Sequence, residues 1–165
     1  MKLMAAKPRG CQMIDIGDKA PEFSLPASGG QTLDLDGSGP LVLFFYPRDD
    51  TPGCTKEAIA FTGLEAEFAA IGVKIWGISV DSLASHDKFA AKHGLTMPLL
   101  SDEDSAVCTA YGVWKEKNMY GKTFMGIERA TFLITADGQL AQVWRKVKVP
   151  GHAEIVLESA KALSK

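Results

Sequence analysis

The sequence predicts an α/β protein with a mixed central sheet flanked by helices. Two apolar runs, Leu41 to Tyr46 (LVLFFY) and Val73 to Val80 (VKIWGISV), have the composition of strands buried on both faces. Between them, Pro52 to Ile71 places Ala58, Ile59, Phe61, Leu64, Phe68 and Ile71 near helical spacing. Further on, Ala136-Asp137-Gly138-Gln139 separates Thr131–Thr135 from Leu140–Trp144, and Asp-Gly between apolar runs signals an antiparallel hairpin.

The remaining elements follow in order. Residues Ala27 to Pro40 are rich in Gly and Ser and read as hairpin or loop connections. Pro47 ends the first strand, and Gly72 stops the first helix. Ser82 to His93 reads as a second helix, with Ser85 available as a cap and Gly94 as the stop. Met97 to Leu100 is a short strand, Asp102 to Tyr111 a third helix, and His152 to Leu163 an amphipathic closing helix. The order β-α-β-α-β-α-β-β-α makes the first two strands parallel and the terminal hairpin antiparallel. That is a thioredoxin-like arrangement. Residues 13–165 read as one domain, and residues 1–12 as a disordered extension without the apolar core of a secretory signal.

Composition narrows the function. A net charge of −2 and interspersed Lys, Arg, Asp and Glu lack the basic stripe of a nucleic-acid binder. No run of 18 apolar residues is present to span a membrane. A cytoplasmic location is expected. The three cysteines, Cys11, Cys54 and Cys108, are odd in number and widely spaced, which fits neither a disulfide framework nor a zinc ribbon. His86 and His93 lie seven residues apart on one helix and read as a solvated face rather than a metal site. No phosphate-binding glycine loop appears, so neither a metal nor a cofactor is expected. Trp76, Trp114 and Trp144 read as packing residues.

Chemistry concentrates where the first strand hands over to the first helix, in Tyr46-Pro47-Arg48-Asp49-Asp50-Thr51-Pro52-Gly53-Cys54. Pro52 suits the first helical position, where its missing N–H has no partner to lose, and Thr51 precedes it as a cap. Cys54 then falls in the first turn, where unpaired N–H groups and the positive end of the helix dipole favour an anion. The thiolate is the nucleophilic form of cysteine. Gly53 leaves room for a small substrate. A mouth at the carboxyl end of a parallel strand is where α/β folds place their sites. A buried, inert cysteine is the competing reading of the spacing alone.

Pro47, Thr51 and Cys54 match the Pro-x-x-x-Thr-x-x-Cys motif of the peroxiredoxins, and the chain resembles that family. FYPRDDTPGCTKEA (Phe45 to Ala58) is similar to the bacterioferritin-comigratory, or peroxiredoxin Q, subfamily. So are DKAPEFSLP (Asp18 to Pro26), GISVDS (Gly77 to Ser82), LLSD (Leu99 to Asp102), YGVW (Tyr111 to Trp114) and ERATFLI (Glu128 to Ile134). The resemblance implies a thiol peroxidase that reduces hydrogen peroxide and organic hydroperoxides. Cys54 would be the peroxidatic cysteine. Thr51, the N–H groups of Gly53 and Cys54, and Arg129 would be donors to the peroxide oxygens. Pro47 would shield the site. Glu57 reads as an ordinary first-turn acid, although relatives often carry Glu there.

The sulfenic acid left on Cys54 must be reduced by another thiol. Where the subfamily carries its resolving cysteine, this chain has Ile59 or Ala90. Cys108 is a candidate resolving cysteine, with Cys11 behind it. The expected cycle uses one cysteine and an external thiol reductant, such as thioredoxin, glutaredoxin or a small thiol. Subfamily resemblance implies a monomer. A thioredoxin-like disulfide oxidoreductase lacks its second cysteine here, since Thr55, Lys56 and Glu57 follow Cys54. A redox sensor would use the same thiolate without turnover.

Overall fold

The computed structural model describes residues 14–35 and 40–163; the expected extension over 1–12, with Cys11, lies outside them. In chain order the elements are β1 (Phe23–Ala27), β2 (Gln31–Leu35), β3 (Leu41–Phe45), α1 (Pro52–Ala70), β4 (Lys74–Ser79), α2 (Leu83–His93) and β5 (Leu99–Ser101). There follow α3 (Ala106–Ala110), β6 (Trp114–Met119), β7 (Lys122–Ile127), β8 (Ala130–Ile134), β9 (Leu140–Arg145) and α4 (His152–Leu163).

Seven strands form one mixed sheet in the order β2-β1-β5-β4-β3-β8-β9. Strands β3, β4 and β5 run parallel, as right-handed crossovers through α1 and α2 require; β1, β2, β8 and β9 add antiparallel edges. This is the expected sheet flanked by helices. The Gly-rich segment after β1 is the turn of the β1–β2 hairpin.

Alternation along β3 builds two cores. Leu41, Leu43 and Phe45 face one side with Trp76, Cys108, Tyr111 and Phe132. Val42, Phe44 and Tyr46 face the other with Cys54, Phe61 and Phe68 of α1, Phe89 of α2 and Val156 of α4. Phe44 and Phe61 stack with centroids 4.7 Å apart, which locks α1 onto the sheet. Cys54 and Cys108 therefore sit on opposite faces.

Two local expectations are corrected. Ser82 rather than Ser85 caps α2: its hydroxyl accepts the N–H of Ser85, while Gly94 ends the helix at φ 65°. The helix expected from Asp102 shortens to Ala106–Ala110, because Ser105 sits at φ 60° and the Asp102 carboxylate takes the N–H groups of Val107 and Cys108. A two-stranded sheet, β6–β7, lies where the sequence suggested no element. Its turn, Tyr120-Gly121, has φ 55° and 77°, the left-handed pair of a tight hairpin. Lysines and Asn118 along β6 hid it from a search for apolar runs.

Register decides where the site lies. Strand β8 pairs antiparallel with β3, with Ala130 opposite Phe45. Arg129, one residue before β8, is thereby brought to the end of the sheet where β3 turns into α1.

Candidate active site

Helix α1 starts at Pro52 after an extended Thr51 (φ −94°, ψ 156°), so Gly53 and Cys54 are its second and third residues. Their N–H groups belong to the set a helix leaves without internal acceptors. The Thr51 hydroxyl makes no capping bond; it donates to the Arg48 carbonyl at 3.0 Å. Its proton is thus engaged, and its oxygen is left as an acceptor rather than the expected donor. Pro47 is half-buried beside it.

Cys54 is 1% exposed, and Arg129 Nη2 lies 3.4 Å from its sulfur. Arg129 Nη1 donates to Glu57 Oε1 at 2.7 Å. One guanidinium thus spans the thiol and the carboxylate with its fixed fork. A Cβ on Gly53 would stand 3.1 Å from Arg129 Nη2, so glycine there lets the guanidinium close on the sulfur.

Glu57 is not the ordinary first-turn acid expected: α1 starts at Pro52 and carries no acid in its first turn. It is 1% exposed, and Oε2 has no partner among the described residues. Burial pushes its carboxyl up to about 7, against the opposing pull of Arg129. Spacing held the signal: Cys54, Glu57, Ala58 and Phe61 all fall on the inward face of α1.

The loop before α1 is tied down by a buried network. Asp49 accepts from Tyr46 Oη at 2.6 Å and Ser85 Oγ at 2.7 Å, and its N–H donates to Asp81 at 2.8 Å. His86 Nδ1 lies 2.7 Å from the same carboxylate, and His86 Nε2 lies 2.9 Å from the Leu100 carbonyl. A carbonyl only accepts, so Nε2 carries a hydrogen. The solvated helix face expected for the histidines is corrected here: His86 is 0% exposed, one helical turn from core residue Phe89. His93 is partly covered, packs edge-on to Phe89 and meets Asp50 at 2.9 Å, with Lys92 on the other carboxylate oxygen at 2.8 Å. Asp50 sits at φ 60°, and these two contacts hold it. Asp49, Asp81 and His86 stand within mutual reach of a cation, but their hydrogen bonds to one another and to neighbouring hydroxyls already engage them.

Cys108 is fully buried across the sheet, and burial together with Asp102 pushes its thiol far above the ordinary range. The described conformation does not bring it to Cys54. Ile59 is 47% exposed on α1, and Ala90 packs at the edge of the α1-side core. Trp76 is core. Trp114 packs against the same core and also borders a cleft beside Pro47 and Thr51.

The AhpC/TSA family model matches residues 16–143. The chain is 53% identical over 150 residues to Peroxiredoxin Bcp of Xanthomonas campestris, covering 88% of this chain and 94% of that protein. It is 46% identical to Peroxiredoxin Bcp of Bacillus subtilis, covering 92% and 98% of the two chains. Among solved structures, Peroxiredoxin Q of Xanthomonas campestris superposes with a TM-score of 0.82 at 52% identity, covering 87% and 92%. A cysteine-to-serine variant of Xylella fastidiosa PrxQ superposes with a TM-score of 0.87 at 43% identity, covering 93% and 99%. With relatives this similar over nearly their whole length, the chain belongs to the peroxiredoxins of the AhpC/TSA family, in the Bcp/PrxQ branch, and is a thiol peroxidase.

Proposed function

We propose that Cys54 is the peroxidatic cysteine and that it turns over in a one-cysteine cycle completed by an external thiol. The observation that carries the assignment is the Arg129 guanidinium, held by Glu57 at 2.7 Å and laid 3.4 Å from the Cys54 sulfur at a helix start. The Cys54 thiolate attacks the terminal peroxide oxygen. The S–O bond forms as the O–O bond breaks, sulfur is oxidised to sulfenic acid, and the peroxide is reduced. The departing alkoxide or hydroxide takes a proton from water and leaves as alcohol or water. Arg129 and the N–H groups of Gly53 and Cys54 stabilise the charge on the two oxygens. The Thr51 oxygen accepts the hydrogen of the incoming peroxide, and Pro47 limits water at the sulfur. Hydrogen peroxide and organic hydroperoxides are both substrates; alkyl peroxide reduction activity is described for the Xanthomonas campestris bacterioferritin comigratory protein.

Two external thiols then return the sulfenic acid to a thiol, forming one disulfide and one water. Solved variants of the Xanthomonas campestris protein replace two different cysteines by serine; these are separated by the same number of residues as Cys54 and Ala90. Alanine there leaves this chain without that second thiol. Residues 13–165 act as one domain, as a monomer in the cytoplasm, where thioredoxin, glutaredoxin or a small thiol supplies the electrons. A reducing compartment suits the unpaired Cys54 and Cys108. No helix among the described residues is long and apolar enough to cross a membrane.

One equivalent of hydrogen peroxide, followed by a sulfenic-acid trap and peptide mass spectrometry, tests both parts. The expected product is trapped Cys54. A Cys54–Cys108 or Cys54–Cys11 disulfide as the main product refutes the one-cysteine cycle. Turnover that survives Cys54→Ser refutes the catalytic assignment.

A further inference from the structure

We propose that the β6–β7 hairpin docks the protein on an anionic lipid bilayer surface, with Met119, Tyr120 and Phe124 entering the headgroup layer and the lysines beside them meeting its phosphates. Among the described residues the two strands pair with each other and stand apart from the seven-stranded sheet. Their outward side chains therefore answer to no core. Met119 is 55% exposed, Tyr120 at the turn 95% and Phe124 44%. Large apolar groups gathered in water on one hairpin mark a contact surface.

Register sorts the hairpin into two faces. Antiparallel partners share a face, and neighbours along a strand alternate between faces. Lys115 opposite Gly126, Lys117 opposite Phe124 and Met119 opposite Lys122 therefore lie on one side. These residues include three lysines and no acid, in a chain whose net charge is −2. Glu116 lies on the other side, opposite Met125. Glu128 stands at the base of the hairpin, where its N–H donates to the Val113 carbonyl, far along the strands from the Tyr120 turn. The Lys117 stem lies across Gly126, and its ammonium donates to the Ile127 carbonyl at 2.5 Å. A stem laid on the strand with its charge at the end suits an apolar–water boundary. Composition separates a bilayer from a protein partner. Protein interfaces gather Tyr, Phe and Met but are depleted of Lys. Lysines interleaved with Tyr and Phe are what a headgroup layer selects, and apolar contact plus positive charge supplies the two signals that peripheral attachment needs. Exposed Arg48 extends the positive charge across the cleft toward Pro47 and Thr51, so a bilayer seated on the hairpin meets the mouth of the Cys54 site.

The test is co-sedimentation of the full chain with vesicles of phosphatidylglycerol and phosphatidylcholine in equal parts, and with vesicles of phosphatidylcholine alone. Three lysines near the surface should make partition to the anionic vesicles about a hundredfold stronger, and added salt should reduce the difference. Tyr120→Asn combined with Lys122→Gln should weaken anionic binding at least tenfold and leave hydrogen peroxide turnover in solution unchanged. Tyr120 sits at φ 55°, a conformation asparagine accepts, so this variant keeps the turn. Lys74→Gln, the same loss of charge at the exposed start of β4, should leave binding as in the parent. Equal partition to the two kinds of vesicle overturns the proposal. So does a Tyr120→Asn, Lys122→Gln variant that binds like the parent, or a Lys74→Gln variant that loses as much. A dimer in sedimentation equilibrium that the double variant abolishes, with no vesicle binding, assigns the face to a second copy of the chain and also overturns it.

Discussion

Glu57→Gln should make the protein more stable at alkaline pH and slower as a peroxidase. The carboxyl is 1% exposed, has one oxygen without a partner among the described residues, and is pushed from 4.5 up to about 7 by burial. Between those values the folded protein keeps a proton that the unfolded chain has released. Stability therefore falls as pH rises through this window and levels off above it. At 1.36 kcal/mol per pH unit, the group accounts for about 3 kcal/mol of lost stability between pH below 4.5 and pH above 7. Glutamine cannot ionise, so the variant lacks that slope. The same charge holds Arg129 at 2.7 Å, however, and an amide oxygen holds it less firmly. Partial loss of one charge-stabilising donor should slow Cys54 oxidation about tenfold, below the hundredfold or more for outright removal. Denaturant unfolding of parent and variant at pH 5 and pH 8 gives the stability difference, and stopped-flow peroxide reaction gives the rate. Subtracting variant from parent cancels every other titrating group. Parallel pH curves, or an unchanged oxidation rate, would refute Glu57 as the buried anchor of Arg129.

Gly53→Ala places a methyl 3.1 Å from Arg129 Nη2; peroxide oxidation should slow at least tenfold while the melting temperature stays within a few degrees, read by stopped flow and thermal unfolding. Asp49→Ala strips the fully buried His86 of its carboxylate and two hydroxyls of their acceptor, and should cost about 3–5 kcal/mol by denaturant unfolding. His152, lowered from 6.5 to about 4 by burial and by Arg129, stays neutral in the fold while the unfolded chain protonates. Its contribution is complete above pH 6.5 and is lost as pH falls toward 4. After allowance for solvent screening that is about 1–2 kcal/mol, and His152→Gln should remove it from the pH profile of unfolding.

Read alone, the chain determined the central strands of the sheet and the place of the candidate site. Strands buried on both faces announce themselves as unbroken apolar runs, which is why β3 and β4 were legible in LVLFFY and VKIWGISV. Pro52 after Thr51 marked a helix start, and that local rule sufficed to put Cys54 in the first turn of α1. The β6–β7 hairpin was illegible because its residues answer to solvent and to the cleft rather than to a core.

Tertiary structure decided the partnerships. Glu57 and Arg129 lie on separate elements, and only the pairing of β8 with β3 brings the guanidinium to both Glu57 and Cys54. His86 looked like a surface histidine until packing of α2 closed it against Asp49 and Leu100. Packing made Glu57 and His86 buried groups, each held by a partner from a distant element. Local spacing reports which face a residue takes; which charge meets it there depends on how distant strands register, and that is a property of the folded sheet.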